Sequence, residues 1–156
     1  MNDDDRNKSQ HLGFAESFRD LKVYQKAREL SREVFRISRK FPVEERFSLT
    51  DQIRRASRSV GAQIAEAWAK RRYENHFVSK LTDADAEQME TQHWLGCTLD
   101  CEYSSVNTLR PMVDLCMEIG RMLNAMIRDA ESFCSTSNRL CEPNAEYFQP
   151  ASASEL

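Results

Sequence analysis

Glycine and proline are scarce in this sequence, and their scarcity limits the folds open to it. The 156 residues include four Gly and four Pro, and two of the prolines lie near the C-terminus. Sheet proteins with many tight turns usually need more of both residues. The composition therefore argues against an all-β fold, while a hydrophobic fraction of 40% is enough for one core in a chain the size of one domain.

Long apolar runs and a disulfide framework are also missing. No stretch approaches the ~18 consecutive apolar residues of a membrane span. The first ten residues, MNDDDRNKSQ, are acidic and lack the apolar segment of a secretory signal. The five cysteines are an odd number, and their spacings fit no disulfide framework, which indicates reduced thiols. The sequence thus predicts a cytoplasmic protein.

The motifs of common catalytic and cofactor sites are absent as well. The chain has no G-x-S-x-G, Walker or G-x-G-x-x-G loop. Glu90 and His93 form one E-x-x-H, the spacing that di-iron bundles use, but the second such motif and two further inward glutamates are missing. His93, Cys97 and Cys101 span about 12 Å along a helix, which is too far for one ion. We therefore predict no enzyme, no metal and no other cofactor.

What the sequence does contain is helical periodicity. Apolar residues recur at steps of three and four in four segments, and Pro42 ends the first of them. In the third segment, Gln88 and Thr91 fall in the apolar stripe and need hydrogen-bond partners if they are buried. Pro111 predicts either a kink or a later start of the fourth helix. The predicted helices cover about residues 20–41, 49–72, 73–103 and 106–133.

Four long helices with short connections predict an all-α fold. The arrangement expected from such connections is an antiparallel up-down-up-down four-helix bundle over residues 19–134. The polar segments on either side are predicted to be a disordered N-terminal arm, 1–18, and a disordered C-terminal tail, 135–156.

Charges are unevenly distributed along the chain. The net charge is -3, which excludes a globally basic nucleic-acid binder. Residues 19–72 nevertheless hold 15 Lys and Arg against seven Asp and Glu, whereas residues 73–134 hold four against 11. This asymmetry indicates a polyanionic partner or self-complementary assembly, unless the charged residues simply occupy solvated helix faces.

Arginine is the prevalent basic residue in the first two predicted helices, and its guanidinium suits bidentate contact with phosphate. The first helix carries four arginines on one side, beginning at Arg28, but Glu29 and Glu33 can each pair with the arginine three residues later. The second helix offers fewer local acids, chiefly Asp51, so we predict that it binds phosphate. Its predicted nucleic-acid-binding residues are Arg54, Arg55, Arg58, Lys70, Arg71 and Arg72.

Two tryptophans, Trp68 and Trp94, lie directly beside residues of the predicted apolar stripes. They indicate either a subunit interface, where tryptophan is enriched, or the periphery of a wide core. Two acids that Arg54 or Arg55 could reach, within the bundle or between subunits, complete the predicted interface. The predicted oligomer-interface residues are Glu66, Trp68, Glu90 and Trp94.

Several separated patterns in the chain resemble one family. They are FRDLKVY at 18–24, Phe41-Pro42, LTDQIRRASRSV at 49–60, QIAEAW at 63–68, ETQHWL at 90–95 and Met122-Leu123. In this order they resemble the small bacterial four-helix-bundle family that includes proteins encoded in intervening sequences of 23S rRNA genes. The accessory variability determinant of diversity-generating retroelements is a relative in that family.

This resemblance covers about residues 18–130 and carries structural and functional expectations. It implies an antiparallel bundle assembled as a homo-oligomeric, pentameric ring. It also implies nucleic-acid binding, because the retroelement relative binds nucleic acid and a reverse transcriptase through a positively charged surface.

Together these observations predict a non-catalytic oligomeric binding module for RNA or DNA, acting as a ribonucleoprotein or reverse-transcriptase accessory protein. The alternative is a structural homo-oligomer that scaffolds a protein partner without binding nucleic acid.

Overall fold

Four long helices account for most of the residues that the structure describes. The structure is a computed structural model, and it describes residues 15–134. The long helices are α1 (Lys22–Ser38), α2 (Leu49–Lys70), α3 (Glu74–Asp100) and α4 (Val106–Arg128). The shorter elements are one helical turn, α5 (Ala130–Phe133), and 3₁₀ turns at Phe18–Asp20 and Val43–Glu45. Residues 15–134 contain no strand, so the predicted all-α fold is confirmed over this range.

The chain enters α1 through a capped turn. The Ser17 hydroxyl accepts a hydrogen bond from the Arg19 backbone N–H at 3.2 Å, and the Asp20 carboxylate accepts one from the Ser17 N–H at 2.8 Å. This reciprocal arrangement satisfies N–H groups that a helix start leaves unpaired. The predicted arm therefore overlaps structured residues at its end, whereas residues 1–14 and the predicted tail, 135–156, lie outside the described residues.

α3 ends in a Schellman motif. The backbone N–H groups of Glu102 and Tyr103 donate to the carbonyls of Leu99 and Thr98 at 2.9 and 3.1 Å. Glu102 takes the left-handed φ of 57° that this motif requires and that glycine adopts most easily. The helix consequently stops at Asp100, three residues before its predicted end.

α4 begins directly after a serine that caps it. The Ser105 hydroxyl accepts a hydrogen bond from the Thr108 N–H at 3.3 Å. The helix starts at Val106 and continues through Pro111, so the alternative of a later start is wrong. Pro111 has no backbone N–H, so the Asn107 carbonyl, four residues earlier, lacks its hydrogen bond within the helix. Both residues are exposed.

One hydrophobic core runs through all four long helices. The largest apolar side chains that are fully buried in it are Leu30, Val34, Ile53, Val60, Ile64, Phe77, Leu81, Leu95, Ile119 and Leu123. At the surface, the Lys26 ammonium of α1 lies 3.4 Å from the Glu118 carboxylate of α4. None of the helices within residues 15–134 is long and apolar enough to cross a membrane.

The two polar residues in the α3 stripe are buried, and both have partners. The Thr91 hydroxyl donates to the Glu87 carbonyl at 2.9 Å. The Gln88 amide nitrogen donates to the Asp85 carboxylate at 2.9 Å, and its oxygen accepts a hydrogen bond from Gln92 at 2.7 Å. The burial of Gln88 is therefore compatible with the core because both ends of its amide are hydrogen-bonded.

α4 approaches this polar network at Gly120. A methyl group there would lie 3.0 Å from Gln88 Nε2 and 3.3 Å from Asp85 Oδ1. Because hydrogen bonds hold the Gln88 amide in place, we expect Gly120→Ala to lower the free energy of unfolding by about 1 kcal/mol, although alanine favours helix. Urea unfolding followed by circular dichroism measures the change.

Gly96, in α3, provides the matched control. A methyl group at this exposed position would have no neighbour within 4 Å. Gly96→Ala should therefore raise the free energy of unfolding by about 0.5–1 kcal/mol through backbone entropy alone. Equal stabilisation by both substitutions would mean that the Gln88 side chain moves to accommodate the methyl group at position 120, contrary to our prediction.

Candidate nucleic-acid interface

α1 and α2 pack side by side and leave an open groove on the surface between them. The groove has a volume of about 400 Å³. Arg32 and Arg36 come from α1 and Arg39 is its C-cap, and steps of four and three residues keep the three arginines on one helix face. We refer to this surface as the arginine groove. Its lining residues are Ser31, Arg32, Phe35, Arg36, Arg39 and Arg58.

Phe35 is the aromatic part of the arginine groove, and two arginines of α2 flank it. Its side chain is 42% exposed, and the guanidinium carbons of Arg54 and Arg58 lie 4.9 and 5.9 Å from the ring centroid. Arg54 Nε also donates to the Ser38 hydroxyl at 2.7 Å. Arg54 is therefore a fixed contact between the two helices, whereas the exposed Arg58 lies at the outer limit of a cation–π contact.

The arginine groove carries a surplus of positive charge. Arg36 pairs with the Glu33 carboxylate at 2.9 Å. Arg32, Arg39 and Arg58 form no ion pair with any residue in 15–134. Three guanidinium groups of the groove are therefore available to an external anion.

One of the local acids proposed for the first helix pairs elsewhere. Glu29 lies 3.8 Å from Lys26, the residue three positions before it, and Lys26 also contacts Glu118 of α4. The expected Glu29–Arg32 pair does not form in the structure. Arg32 is consequently part of the candidate site, although it is not among the predicted nucleic-acid-binding residues.

Arg55 lies on a different side of α2 from Arg54. Successive residues of an α-helix are rotated by about 100°, so the two side chains leave α2 toward different neighbours. The Arg55 guanidinium lies 3.9 Å from the Asp51 carboxylate, on a side where it also acts on Glu87 of α3. Of the three arginines predicted early in α2, Arg58 alone lines the arginine groove.

The second predicted basic cluster lies at the other end of α2. Lys70 follows Arg58 by about 18 Å along the helix axis. The Arg71 guanidinium stacks 4.1 Å from the Trp68 ring centroid and donates to the Trp68 carbonyl at 2.7 Å, so it closes the end of α2. Lys70 and Arg72 are exposed beside a separate depression of about 560 Å³. The six predicted residues thus do not form one continuous patch.

An acidic surface lies along α3 where it faces α2. Lys80 Nζ lies 2.9 Å from the Glu66 carboxylate and 3.4 Å from the Asp83 carboxylate. Burial, together with the nearby Glu90 and Asp83, raises the pKa of Glu87, and burial is the largest cause. We refer to this surface as the acidic stripe, defined by Glu66, Asp83, Glu87 and Glu90.

The residues predicted to form an oligomer interface have contacts within the chain. Trp94 Nε1 donates to the Glu90 carboxylate at 3.0 Å, and Glu66 pairs with Lys80 at 2.9 Å. Trp68 and Trp94 are half-buried against the core, as the peripheral-core alternative describes. A role for these four residues between subunits stays a prediction.

The E-x-x-H segment does not assemble a set of ligands. His93 Nε2 lies 3.7 Å from Cys97 Sγ, and the Glu90 carboxylate accepts its hydrogen bond from Trp94. Between residues 15 and 134 there is no group of three or more His, Cys, Asp or Glu side chains that could hold a metal ion. Cys116 lies in the core, where burial raises its pKa to about 12 and keeps it a neutral thiol.

Two comparisons with known proteins found matches to this chain. A sequence model described as 23S rRNA-intervening sequence protein matches residues 19–125, which include the whole arginine groove. Among solved structures, the chain is similar to a protein of unknown function from the S23 ribosomal protein family of Bacteroides thetaiotaomicron, with 27% sequence identity and a TM-score of 0.62. That match covers 68% of this chain and 95% of the other. No curated protein matches.

The raised pKa of Glu87 predicts a pH-dependent contribution to stability. Because the folded state binds this proton more tightly than the unfolded state, the contribution is unfavourable above the raised pKa and disappears below the ordinary value of 4.5. We expect Glu87→Gln to raise the free energy of unfolding at pH 7 by about 0.5 kcal/mol or less, since the half-exposed carboxylate keeps much of its hydration. The gain should vanish near pH 4.

Urea unfolding at the two pH values tests this, with Glu44→Gln as a control at an exposed carboxylate outside the acidic stripe. A Glu87→Gln protein that is less stable than the wild type at neutral pH would contradict the unfavourable environment inferred for this carboxylate.

Proposed function

The chain belongs to the 23S rRNA-intervening sequence protein family, and we propose that it is a non-catalytic module that binds RNA or DNA through the arginine groove. The observation that carries the proposal is the juxtaposition of Arg32, Arg39 and Arg58, without acidic partners among the described residues, around the half-exposed ring of Phe35. Guanidinium groups bind phosphate oxygens in bidentate fashion, and aromatic rings bind base faces.

The chemistry of the arginine groove supports binding without catalysis. Its six lining residues include no histidine, cysteine or carboxylate that could act as a general acid, base or nucleophile. Ser31 donates its hydroxyl proton to the Arg28 carbonyl at 3.0 Å and has no base beside it. The groove therefore supplies positive charge and a ring face, which are the requirements of a polyanion site.

We propose further that the bundle is antiparallel and that copies assemble as a pentameric ring. Contacts between the end of one helix and the start of the next support the first part, such as Ser38 with Arg54 and Glu66 with Lys80. The uneven distribution of charge supports the second: residues 19–72 hold a basic surplus and residues 73–134 an acidic one, and unlike surfaces favour a head-to-tail contact that closes into a ring. In this proposal the basic side of the contact lies outside the arginine groove, which stays open to nucleic acid. The predicted interface residues Glu66, Glu90 and Trp94 lie on or beside the acidic stripe.

In the cell, we place this module in the cytoplasm as an accessory protein of a ribonucleoprotein or a reverse transcriptase. Kinship to the accessory determinant of diversity-generating retroelements is part of the same proposal. A ring would present the arginine groove several times, so that weak contacts to one long polyanion reinforce each other.

Neutralising the arginine groove should weaken nucleic-acid binding. We expect the double variant Arg32→Gln/Arg39→Gln to bind labelled RNA and DNA about tenfold more weakly at moderate salt, because two phosphate contacts are lost. The slope of log affinity against log salt should become shallower by about 1.4 for single strands. Fluorescence anisotropy over a salt series measures both quantities.

The matched control removes the same charge from another surface. Arg110 and Arg121 are exposed on α4, outside the arginine groove, so Arg110→Gln/Arg121→Gln should bind like the wild type. Arg54 is left unchanged because it holds α2 to Ser38.

A groove variant that is folded, is assembled and binds nucleic acid as tightly as the wild type would favour the alternative, a homo-oligomer that scaffolds a protein partner. The exposed Val43 and Phe47, beside the start of α2, offer such a partner an apolar contact.

Assembly is predicted independently of binding. Light scattering should give about 90 kDa for five copies of the 18.1 kDa chain. Charge reversal in the acidic stripe by Glu87→Lys/Glu90→Lys should lower this mass, because the head-to-tail contact then joins like charges. A monomeric wild type would contradict the proposed ring without affecting the binding that is proposed for the arginine groove.

A further inference from the structure

We infer that the arginine groove selects single-stranded nucleic acid over duplex by stacking an unpaired base on Phe35. The inference rests on the proposed function and names the class of ligand that the same site takes. Three features of the structure support it: the contacts that hold the Phe35 side chain, the length of the arginine groove, and the arginines that surround the phenyl ring.

Phe35 is held in place by a chain of contacts that reaches across the two helices. The Ser38 hydroxyl accepts a hydrogen bond from Arg54 Nε at 2.7 Å, and the same guanidinium lies 4.9 Å from the Phe35 ring centroid. Arg54 is half-buried, so this guanidinium is already engaged within the protein. Arg54 is therefore a positioning residue that fixes the ring, rather than a ligand for phosphate.

The rest of the ring is open. Phe35 is 42% exposed although it belongs to the residue types that proteins most often bury. Arg58 is the neighbour that can move: it is exposed, forms no ion pair with the described residues, and lies 5.9 Å from the ring centroid, near the limit of a cation–π contact. A flat ligand can therefore take a position against the ring while Arg58 turns to an adjacent phosphate.

A base face is accessible only in an unpaired strand. Base faces in a duplex are stacked on each other, and the grooves display only base edges. The arginines Arg32, Arg36 and Arg39 span about 10 Å along α1, which matches a short stretch of strand and is far less than the ~34 Å of one duplex turn. Phosphates of a single strand can follow this row of arginines while one base lies on Phe35.

The test compares single strands with duplexes on the same set of variants. Labelled oligouridylate and oligothymidylate, and duplexes of the same length, are titrated against the wild type, Phe35→Leu and Phe35→Trp. Phe47→Leu is the matched control, because Phe47 is 83% exposed and also has an arginine over its ring, Arg46 at 5.2 Å, but lies outside the groove. Circular dichroism and light scattering confirm that each variant is folded and assembled.

We expect the wild type to prefer single strands, and Phe35→Leu to weaken single-strand binding about tenfold without changing its salt dependence. Phe35→Trp should keep the affinity, and single strands but not duplexes should quench the fluorescence of the indole that it introduces. Phe47→Leu should bind like the wild type.

Three results would overturn the inference. Equal affinity for single strands and duplexes would remove the selectivity. Unchanged single-strand binding by Phe35→Leu, alongside weakened binding by Arg32→Gln/Arg39→Gln, would leave a purely electrostatic groove and preserve the proposed function. If Phe35→Leu and Phe35→Trp both fail to assemble, the Phe35 side chain is a subunit contact and not a base-stacking platform. Absence of any nucleic-acid binding by the wild type would instead reject the proposed function itself.

Discussion

The close packing of α2 against both of its neighbours is the constraint on which the rest of the molecule depends. Its inward face includes Ala56, Ser57 and Ala67, each at most 2% exposed. At Gly61 an added methyl group would be in ordinary van der Waals contact with the Tyr24 ring, at 3.6 Å. Helices this close leave no room for arginine between them, so the long side chains of α1 and α2 extend along the edge of the contact. The groove, its charge and the exposed ring follow from this packing.

The sequence was sufficient for the fold class and for the starts of the four long helices, because these depend on local periodicity, whereas every long helix ends two to five residues before its predicted end. The spacing of apolar residues located all four long helices. The end of α3 was misplaced because it depends on Glu102 taking a left-handed conformation, which glycine, not glutamate, would have signalled. Backbone conformations that a residue type does not favour leave no trace in composition.

The candidate site was predictable only in part, because it depends on which neighbour each side chain meets. Composition identified α1 and α2 as the basic helices. It could not decide whether Glu29 pairs forward with Arg32 or backward with Lys26, since both lie three residues away on the helix. Nor could it separate Arg54 from Arg55, whose roles diverge because different helices lie against them. Phe35 was not predicted as a site residue, because a single aromatic residue among arginines produces no periodic pattern.

The polar network between α3 and α4 also fixes the longitudinal register of these two helices. Gly120 is the position on α4 that leaves space for the buried Gln88 amide. A slip of α4 by one turn, about 5.4 Å, would bring Cys116 or Asn124 to that place and set a side chain where the amide now lies. The network would then lose its hydrogen bonds inside the core, at the cost that buried unpaired polar groups carry. The apolar stripes alone would allow α3 and α4 to pack in several registers, and the polar network restricts them to one.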